Sequence, residues 1–295
     1  MVGTVPTNYG HYYRTGWDAT INTLNIQVPG KFKWTSLLTL SKFDAYWLER
    51  EPGYDYAEYQ VREREPLNVY YSYHSDGIIN MDRSNMSESQ RSLPAEAQLP
   101  GYPIVKDKNG DGQITVDDVY MDNTVPKISI GLGNTFTYKN LDLDIFLYGQ
   151  YGHKKTNYAL VWANASGQLN QTNPRNTVDL SYNVWNSQTN TNGTLPGIAI
   201  TKTVPLPGAA GVDVTRENAS FVRVRDIVLG YNLQSNQLGV VGKYVRSMRL
   251  FVNVQNPFTF TKFTGFDPEI VSGYGASMAE YPMTRTFSVG AKINF

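Results

Sequence analysis

The chain has 295 residues, 41% hydrophobic and 18% charged, with 26 basic residues against 26 acidic ones. A zero balance gives no phosphate-neutralising excess and so argues against nucleic-acid binding, and with no cysteine there is neither a disulfide framework nor a thiolate site. No run approaches the roughly 18 apolar residues of a membrane-spanning helix, and the N-terminus lacks the basic and apolar regions of a secretory signal.

Alternating strands can cross a membrane without either feature. The 21 Tyr, 12 Phe and 5 Trp, beside 25 Gly, suit strands whose ends lie at a water–lipid boundary. A large water-soluble β-protein has the same composition.

Helical periodicity is scarce, and segments of period two dominate. Residues 15–26 and 31–47 read as strands around a Pro29-Gly30 turn, the second carrying Phe32, Trp34, Leu38 and Leu40. Residues 52–66 are charged and Tyr-rich, 69–79 read as a further strand, and 82–101 read as a long polar loop.

The clearest hairpin is 127–155. Ile128, Ile130, Leu132, Phe136 and Tyr138 share one face, and after Lys139-Asn140 the chain returns with Leu141, Leu143, Ile145 and Leu147 opposite Asp142 and Asp144. A short turn joining two long strands suits the periplasmic end of a barrel, and the polar stretch 156–215 suits a long extracellular loop. In FVRVRDIVLGY, residues 221–231, the apolar phase moves from Val222 and Val224 to Ile227, Leu229 and Tyr231, which predicts a bulge near Asp226. Met248, Leu250, Val252 and Val254 alternate with polar residues in the next strand.

The last ten residues, TFSVGAKINF, set Phe287, Val289, Ala291, Ile293 and Phe295 on one face. They resemble the C-terminal assembly signal of outer-membrane barrels; an ordinary edge strand reads the same way. Three stretches make the resemblance specific: SFVRVRDIVLGYNL (220–233), RLFVNVQNPFTFTKFTGFDPEI (249–270) and YPMTRTFSVGAKINF (281–295). With the upstream DKNGDGQITVDD and the hairpin that follows it, they resemble, in order and spacing, the C-terminal barrel of the SusC/RagA family of TonB-dependent outer-membrane proteins from Bacteroidetes.

The resemblance implies an all-β fold, an antiparallel transmembrane β-barrel represented here by its C-terminal strands, with long extracellular loops. It implies localisation in the outer membrane and import of oligosaccharides or peptides, such as glycans, with a SusD-like lipoprotein. It also implies energy from TonB through an N-terminal region, and insertion into the lipid bilayer by the barrel assembly machinery. Family members carry a signal peptide, a plug domain and further strands of a barrel of about 22 strands, none of which is found in residues 1–295. The expectation is therefore of a fragment.

One local site stands out. Asp107, Asn109 and Asp111 occupy positions 1, 3 and 5 of a twelve-residue calcium loop, 107–118. Gly112 permits the turn, Gln113 offers its backbone carbonyl, Asp118 takes the final acidic place, and Ile114 anchors the loop by packing. The same residues also fit a loop of Asx turns that bond their own backbone.

No nucleophile elbow or phosphate loop is present, and His11, His74 and His153 are not at ligand spacing, so catalysis is not expected. Asp142 and Asp144 read as lumen-facing carboxylates rather than a glycosidase pair, and Arg223 and Arg225 as partners for lumen or plug charges. Trp162 and Trp185 are candidates for stacking on sugar rings or for packing within their own loop. The rival reading is a secreted, calcium-stabilised β-sandwich that binds glycans; a passive porin is a third.

Overall fold

Period-two alternation becomes long antiparallel strands where turn residues interrupt it. The computed structural model describes residues 10–157, 160, 183–197, 206–270 and 282–295. Thirteen strands follow in chain order among them. The first seven are β1 (His11–Val28), β2 (Phe32–Glu49), β3 (Val69–Ile78), β4 (Pro103–Val105), β5 (Tyr120–Asn123), β6 (Ile128–Tyr138) and β7 (Leu141–Tyr151). The others are β8 (Lys154–Thr156), β9 (Val212–Asp213), β10 (Arg216–Asn218), β11 (Phe221–Gln234), β12 (Ser247–Thr261) and β13 (Thr286–Asn294).

The chain divides into two compact units. A sheet unit takes 16–43, 126–153 and 219–295, and a core unit takes 1–15, 44–125 and 154–218.

In the sheet unit seven strands are ordered β1-β2-β6-β7-β11-β12-β13. The pairings from β2 to β13 are all antiparallel, so every second residue of each strand falls on the same face. One cross-strand row reads Trp34, Phe136, Leu143, Leu229, Val252, Val289, and the next Ser36, Asn134, Ile145, Ile227, Val254, Phe287. The opposite face carries the row Thr35, Thr135, Asp144, Val228, Asn253, Ser288.

The apolar face lies open: Val289 is 81% and Phe287 70% exposed, and Leu229, Leu250 and Val252 are exposed with them. Water would penalise such a face at about 25 cal/mol per Å² of apolar surface, and hydrocarbon would not. Beyond Met248 at the turn end of β12, the apolar face of this strand runs from Leu250 to Phe260. Ten residue steps at ~3.4 Å and a strand tilt of ~40° give an apolar height of about 25 Å, that of an outer-membrane barrel.

Two irregularities adjust this sheet. Val224 pairs with Leu147 and Asp226 with Phe146, so Arg225 is the extra residue of a bulge. Opposite it, Asn256 has a φ of 50° and Pro257, which has no N–H to give, follows it in β12. The bulge keeps Val222 and Val224 on the apolar face with Ile227 and Leu229, as the phase change at Asp226 predicted.

The core unit is built differently. β3 is flanked by β4 and β5 and takes β9 as a parallel partner, while β8 pairs with β10. Tyr73, Ile79, Leu93, Ala97, Val105, Ile114 and Val119 are buried together with Leu206 and Ala210. Segment 82–101, expected to be a loop, therefore packs into a core. It carries the short helix α1 (Glu88–Arg91), N-capped by Ser87. Buried Gln90 acts as a cross-link there: its Nε2 donates to the Ala97 carbonyl at 2.7 Å and its Oε1 accepts from Val105 N at 2.7 Å. Part of the segment 156–215 is likewise folded, since Val184, Leu206 and Ala210 are buried.

Candidate functional site

On the polar face of the sheet unit Arg249 and Arg223 are each held by carboxylates. Arg249 of β12 stands diagonal to Asp142 of β7 across β11, and its guanidinium binds that carboxylate through both Nη2 and Nε, the latter at 3.2 Å. The strand between them contributes Gly230. A Cβ there would lie 2.5 Å from Asp142 Oδ2 and 2.6 Å from Arg249 Nε, so the missing side chain is what lets the pair close. Asn232 Nδ2 donates to Asp142 Oδ1 at 2.5 Å, and Thr135 Oγ1 donates to Asp144 Oδ1 at 2.6 Å.

A second pair is nearly sealed from solvent. Arg223 is 1% exposed. Its Nη2 donates to both Asp267 oxygens at 2.8 and 2.9 Å, its Nη1 to Glu269 Oε2 at 2.7 Å, and its Nε to Thr259 Oγ1 at 3.0 Å. Asp267 also accepts from Glu269 N at 2.8 Å and Met283 N at 3.1 Å. The FDPE stretch after β12 is thereby pinned against β11. The sequence foresaw charged partners for Arg223 and Arg225; the carboxylates come from this chain, with Glu269 Oε1 3.7 Å from Arg225 Nη1.

On the apolar face a few polar groups satisfy one another. Trp34 Nε1 and Ser36 Oγ donate to Asn134 Oδ1 at 3.0 and 2.7 Å, and Asn25 Nδ2 donates to Ser36 Oγ at 2.7 Å.

In the core unit the acidic loop 107–118 is closed by its own backbone. Asp107 accepts from Gly110 N at 2.6 Å and Gly112 N at 2.9 Å, Asn109 Oδ1 accepts from Asp111 N at 3.0 Å, and Asp111 Oδ1 accepts from Gln113 N at 2.8 Å. Gly110 and Gly112 have φ of +75° and +84°, the left-handed turns that only glycine makes without strain. Asp118 is buried and its two oxygens accept from Lys108 N and Thr115 N, both at 2.8 Å. Ile114 enters the core, as expected. Among the described residues no three His, Asp or Glu side chains come together at one point.

Sequence reasoning missed a cluster beside this loop. His74 Nε2 lies 2.7 Å from Asp122 Oδ2 and 2.9 Å from Lys154 Nζ, and Lys154 Nζ lies 2.9 Å from Asp122 Oδ2. Burial pushes the Asp122 carboxyl upward, but the hydrogen bonds and charges of His74 and Lys154 outweigh it and hold the group below its ordinary value. Burial pushes the Asp213 carboxyl up against its backbone hydrogen bonds. Tyr73, fully buried, is pushed up to about 12, first by burial and then by Asp118. No spacing rule links residues 74, 122 and 154, which only β3, β5 and β8 bring together.

Trp185 is packed within its own unit, since any side chain at Gly101 would collide with its indole. That packing takes up one ring face. Trp162 lies outside the described residues.

An open antiparallel sheet with an uncovered apolar face and charged groups paired on the opposite face has the geometry of part of a membrane β-barrel wall. The fold agrees with the structure of the RagAB peptide transporter at a TM-score of 0.66 and 19% identity, over 98% of this chain and 30% of that one. No family model matches. The chain is 28% identical to the TonB-dependent receptor P3 of Formosa agariphila over 98% of its own length and 29% of that protein. It is 30% identical to the TonB-dependent receptor SusC of Bacteroides thetaiotaomicron over 66% of its length and 18% of that protein. The chain is thus a homologue of TonB-dependent receptors along nearly its whole length, and spans less than a third of these relatives. The relatives are receptors and not enzymes.

Proposed function

We propose that this chain supplies the C-terminal part of the barrel wall of a TonB-dependent outer-membrane transporter that imports oligosaccharides or peptides with a SusD-like surface lipoprotein. The observation that carries the reading is the continuous, uncovered apolar face from Trp34 to Val289, backed by a face of paired charges. Among the described residues β1 and β13 each have a single neighbour. Hydrocarbon does not tolerate such edges, so strands beyond this chain close them in the membrane. Phe287, Val289, Ala291, Ile293 and Phe295 are the assembly signal in this reading. TonB acts through the N-terminal region of the whole protein, and the wall lines and shapes the path.

The secreted β-sandwich would need a second sheet over Leu229, Val252 and Val289, and these are exposed. Fractionation of cells making the full-length protein places it in the outer membrane, with a folded band that migrates faster on gels until heated. A soluble protein whose migration ignores heating contradicts the reading, and uptake that persists without TonB identifies a passive pore.

The same reading gives the acidic loop a structural calcium ion. Asp107, Asn109, Asp111 and the Gln113 carbonyl would hold it, with Asp118 offering the lone pairs that its hydrogen bonds to the Lys108 and Thr115 amides leave over. Binding is expected at about 10⁻⁴–10⁻³ M, as in extracellular modules. Titration calorimetry with calcium is expected to show this and Asp111→Ala to lose it; no heat at millimolar calcium contradicts it.

A further inference from the structure

The short-turn end of the sheet unit carries an apolar surface that the wall does not need. The connection from β11 to β12, residues 235–246, is two 3₁₀ turns, Ser235–Gln237 and Gly239–Lys243. It is firmly held. Ser235 N donates to the Arg246 carbonyl at 3.0 Å, Tyr244 N and Val245 N both donate to the Val241 carbonyl at 3.0 Å, and Val245 is buried. The neighbouring turn braces it through Asn140 Nδ2, which donates to Gln237 Oε1 at 2.8 Å, and Arg246 N donates to the Asn294 carbonyl of β13 at 2.8 Å. A side chain at Gly242 would collide with the Ser235 carbonyl, which fixes which way the turn folds.

This braced turn displays Val240 and Tyr244, each 77% exposed, together with exposed Val241. Branched side chains held out by so many backbone bonds are not a consequence of fraying. Lys243 lies between them. The neighbouring hairpin repeats the chemistry, with Lys139 Nζ 5.5 Å from the ring centroid of exposed Tyr138. Tyrosine beside lysine at the end of an apolar strand face is the arrangement of a membrane interface, where the ring sits among headgroups and the ammonium reaches out to them. The turn is also continuous with the apolar face, since Leu233 and Met248, the strand positions flanking it, are cross-strand partners on that face.

We infer that residues 239–244 are an interfacial anchor: Val240 and Val241 dip into the lipid leaflet at the short-turn end of the barrel, with Tyr244 and Lys243 at headgroup level. The occupant of this surface is the bilayer itself. The inference rests on the barrel reading, and its test separates the two.

The chain has no cysteine of its own, so single Val240→Cys, Val241→Cys, Leu250→Cys and Thr137→Cys variants, made in a full-length protein whose cysteines outside these residues are replaced by serine, can each carry one environment-sensitive fluorophore. Each is reconstituted into vesicles of phosphatidylethanolamine and phosphatidylglycerol and quenched by doxyl-labelled lipid or by aqueous iodide. Labels at 240 and 241 are expected to be quenched by shallow doxyl lipid like Leu250, about three-fold more than at Thr137 on the polar face, and to be shielded from iodide. Iodide quenching at 240 and 241 with Leu250 still lipid-quenched overturns the anchor and leaves the barrel standing. Shielding from both quenchers also overturns it, in favour of a protein partner. Loss of lipid quenching at Leu250 refutes the barrel reading itself.

Discussion

Arg223 sits on the polar face of β11 with all three guanidinium nitrogens engaged, and a carboxylate pair arranged as a fork around them. A buried ion pair of this kind is weak evidence for net stability, because desolvation opposes the attraction, but removing one partner strands the others. Arg223→Ala is therefore expected to cost about 3–5 kcal/mol and Arg223→Lys nearly as much, because an ammonium cannot reproduce the bidentate geometry. The temperature at which the folded gel band disappears reads this out; a lysine variant as stable as the parent contradicts it. Gly230 makes a sharper test. Gly230→Val drives methyl groups into the Asp142–Arg249 pair and is expected to cost about 1–3 kcal/mol. Gly133→Ala, whose Cβ meets nothing nearer than 3.7 Å, is expected to cost less than half of that. Equal effects at the two glycines would refute the account of Gly230.

Asp122 gives a pH dependence. Its folded value is depressed, so its contribution is complete above the unfolded value of about 3.9 and is lost as pH falls through the lower folded value. Asp213 acts in the opposite sense: its raised value favours the fold at acid pH, and that contribution disappears as pH rises through the folded value. Asp122→Asn is expected to lower stability at neutral pH by about 1.5–3 kcal/mol and to flatten the acid limb below about pH 4. Unfolding followed at a series of pH values checks this; an unchanged acid limb contradicts it.

At the scale of elements, period two carried most of the information that the sequence held. The hairpin of β6 and β7 was legible because each strand alternates cleanly and Lys139-Asn140 is a short turn, with Lys139 at a φ of 52°. The bulge was legible because a one-residue slip exchanges faces, and the apolar phase changes once, between Val224 and Ile227. In the core unit little was legible beyond β3, expected as a strand at 69–79, and the packing of Ile114. β4, β5, β8, β9 and β10 are two to four residues long, too short for a period to show. Their pairings are set by contacts far apart in sequence, such as the parallel match of Tyr73 with Val212. Segment 82–101 looked polar because its structural work is done by Gln90 and by small residues such as Ala97, rather than by a hydrophobic stripe. In the acidic loop, spacing announced the turn at Gly112. That Asp118 would be buried against the Lys108 and Thr115 amides depends on the fold around it.

For the molecule as a whole, the two units obey different solvents. The core unit buries Tyr73, Ile79 and Val105 together, as water demands, and satisfies buried Gln90 and Asp118 with hydrogen bonds. The sheet unit leaves Leu250, Val252, Phe287 and Val289 outside and turns Asp142, Arg223 and Arg249 to its other face. Zero net charge and low overall hydropathy conceal this, because averages over the chain cancel what alternation separates. The most direct test labels β12 residue by residue from Met248 to Gln255 in the full-length protein in lipid vesicles and measures quenching by doxyl lipid. The account predicts quenching at Met248, Leu250, Val252 and Val254 and none at Arg249, Phe251, Asn253 and Gln255; uniform quenching, or none along the whole strand, would contradict it.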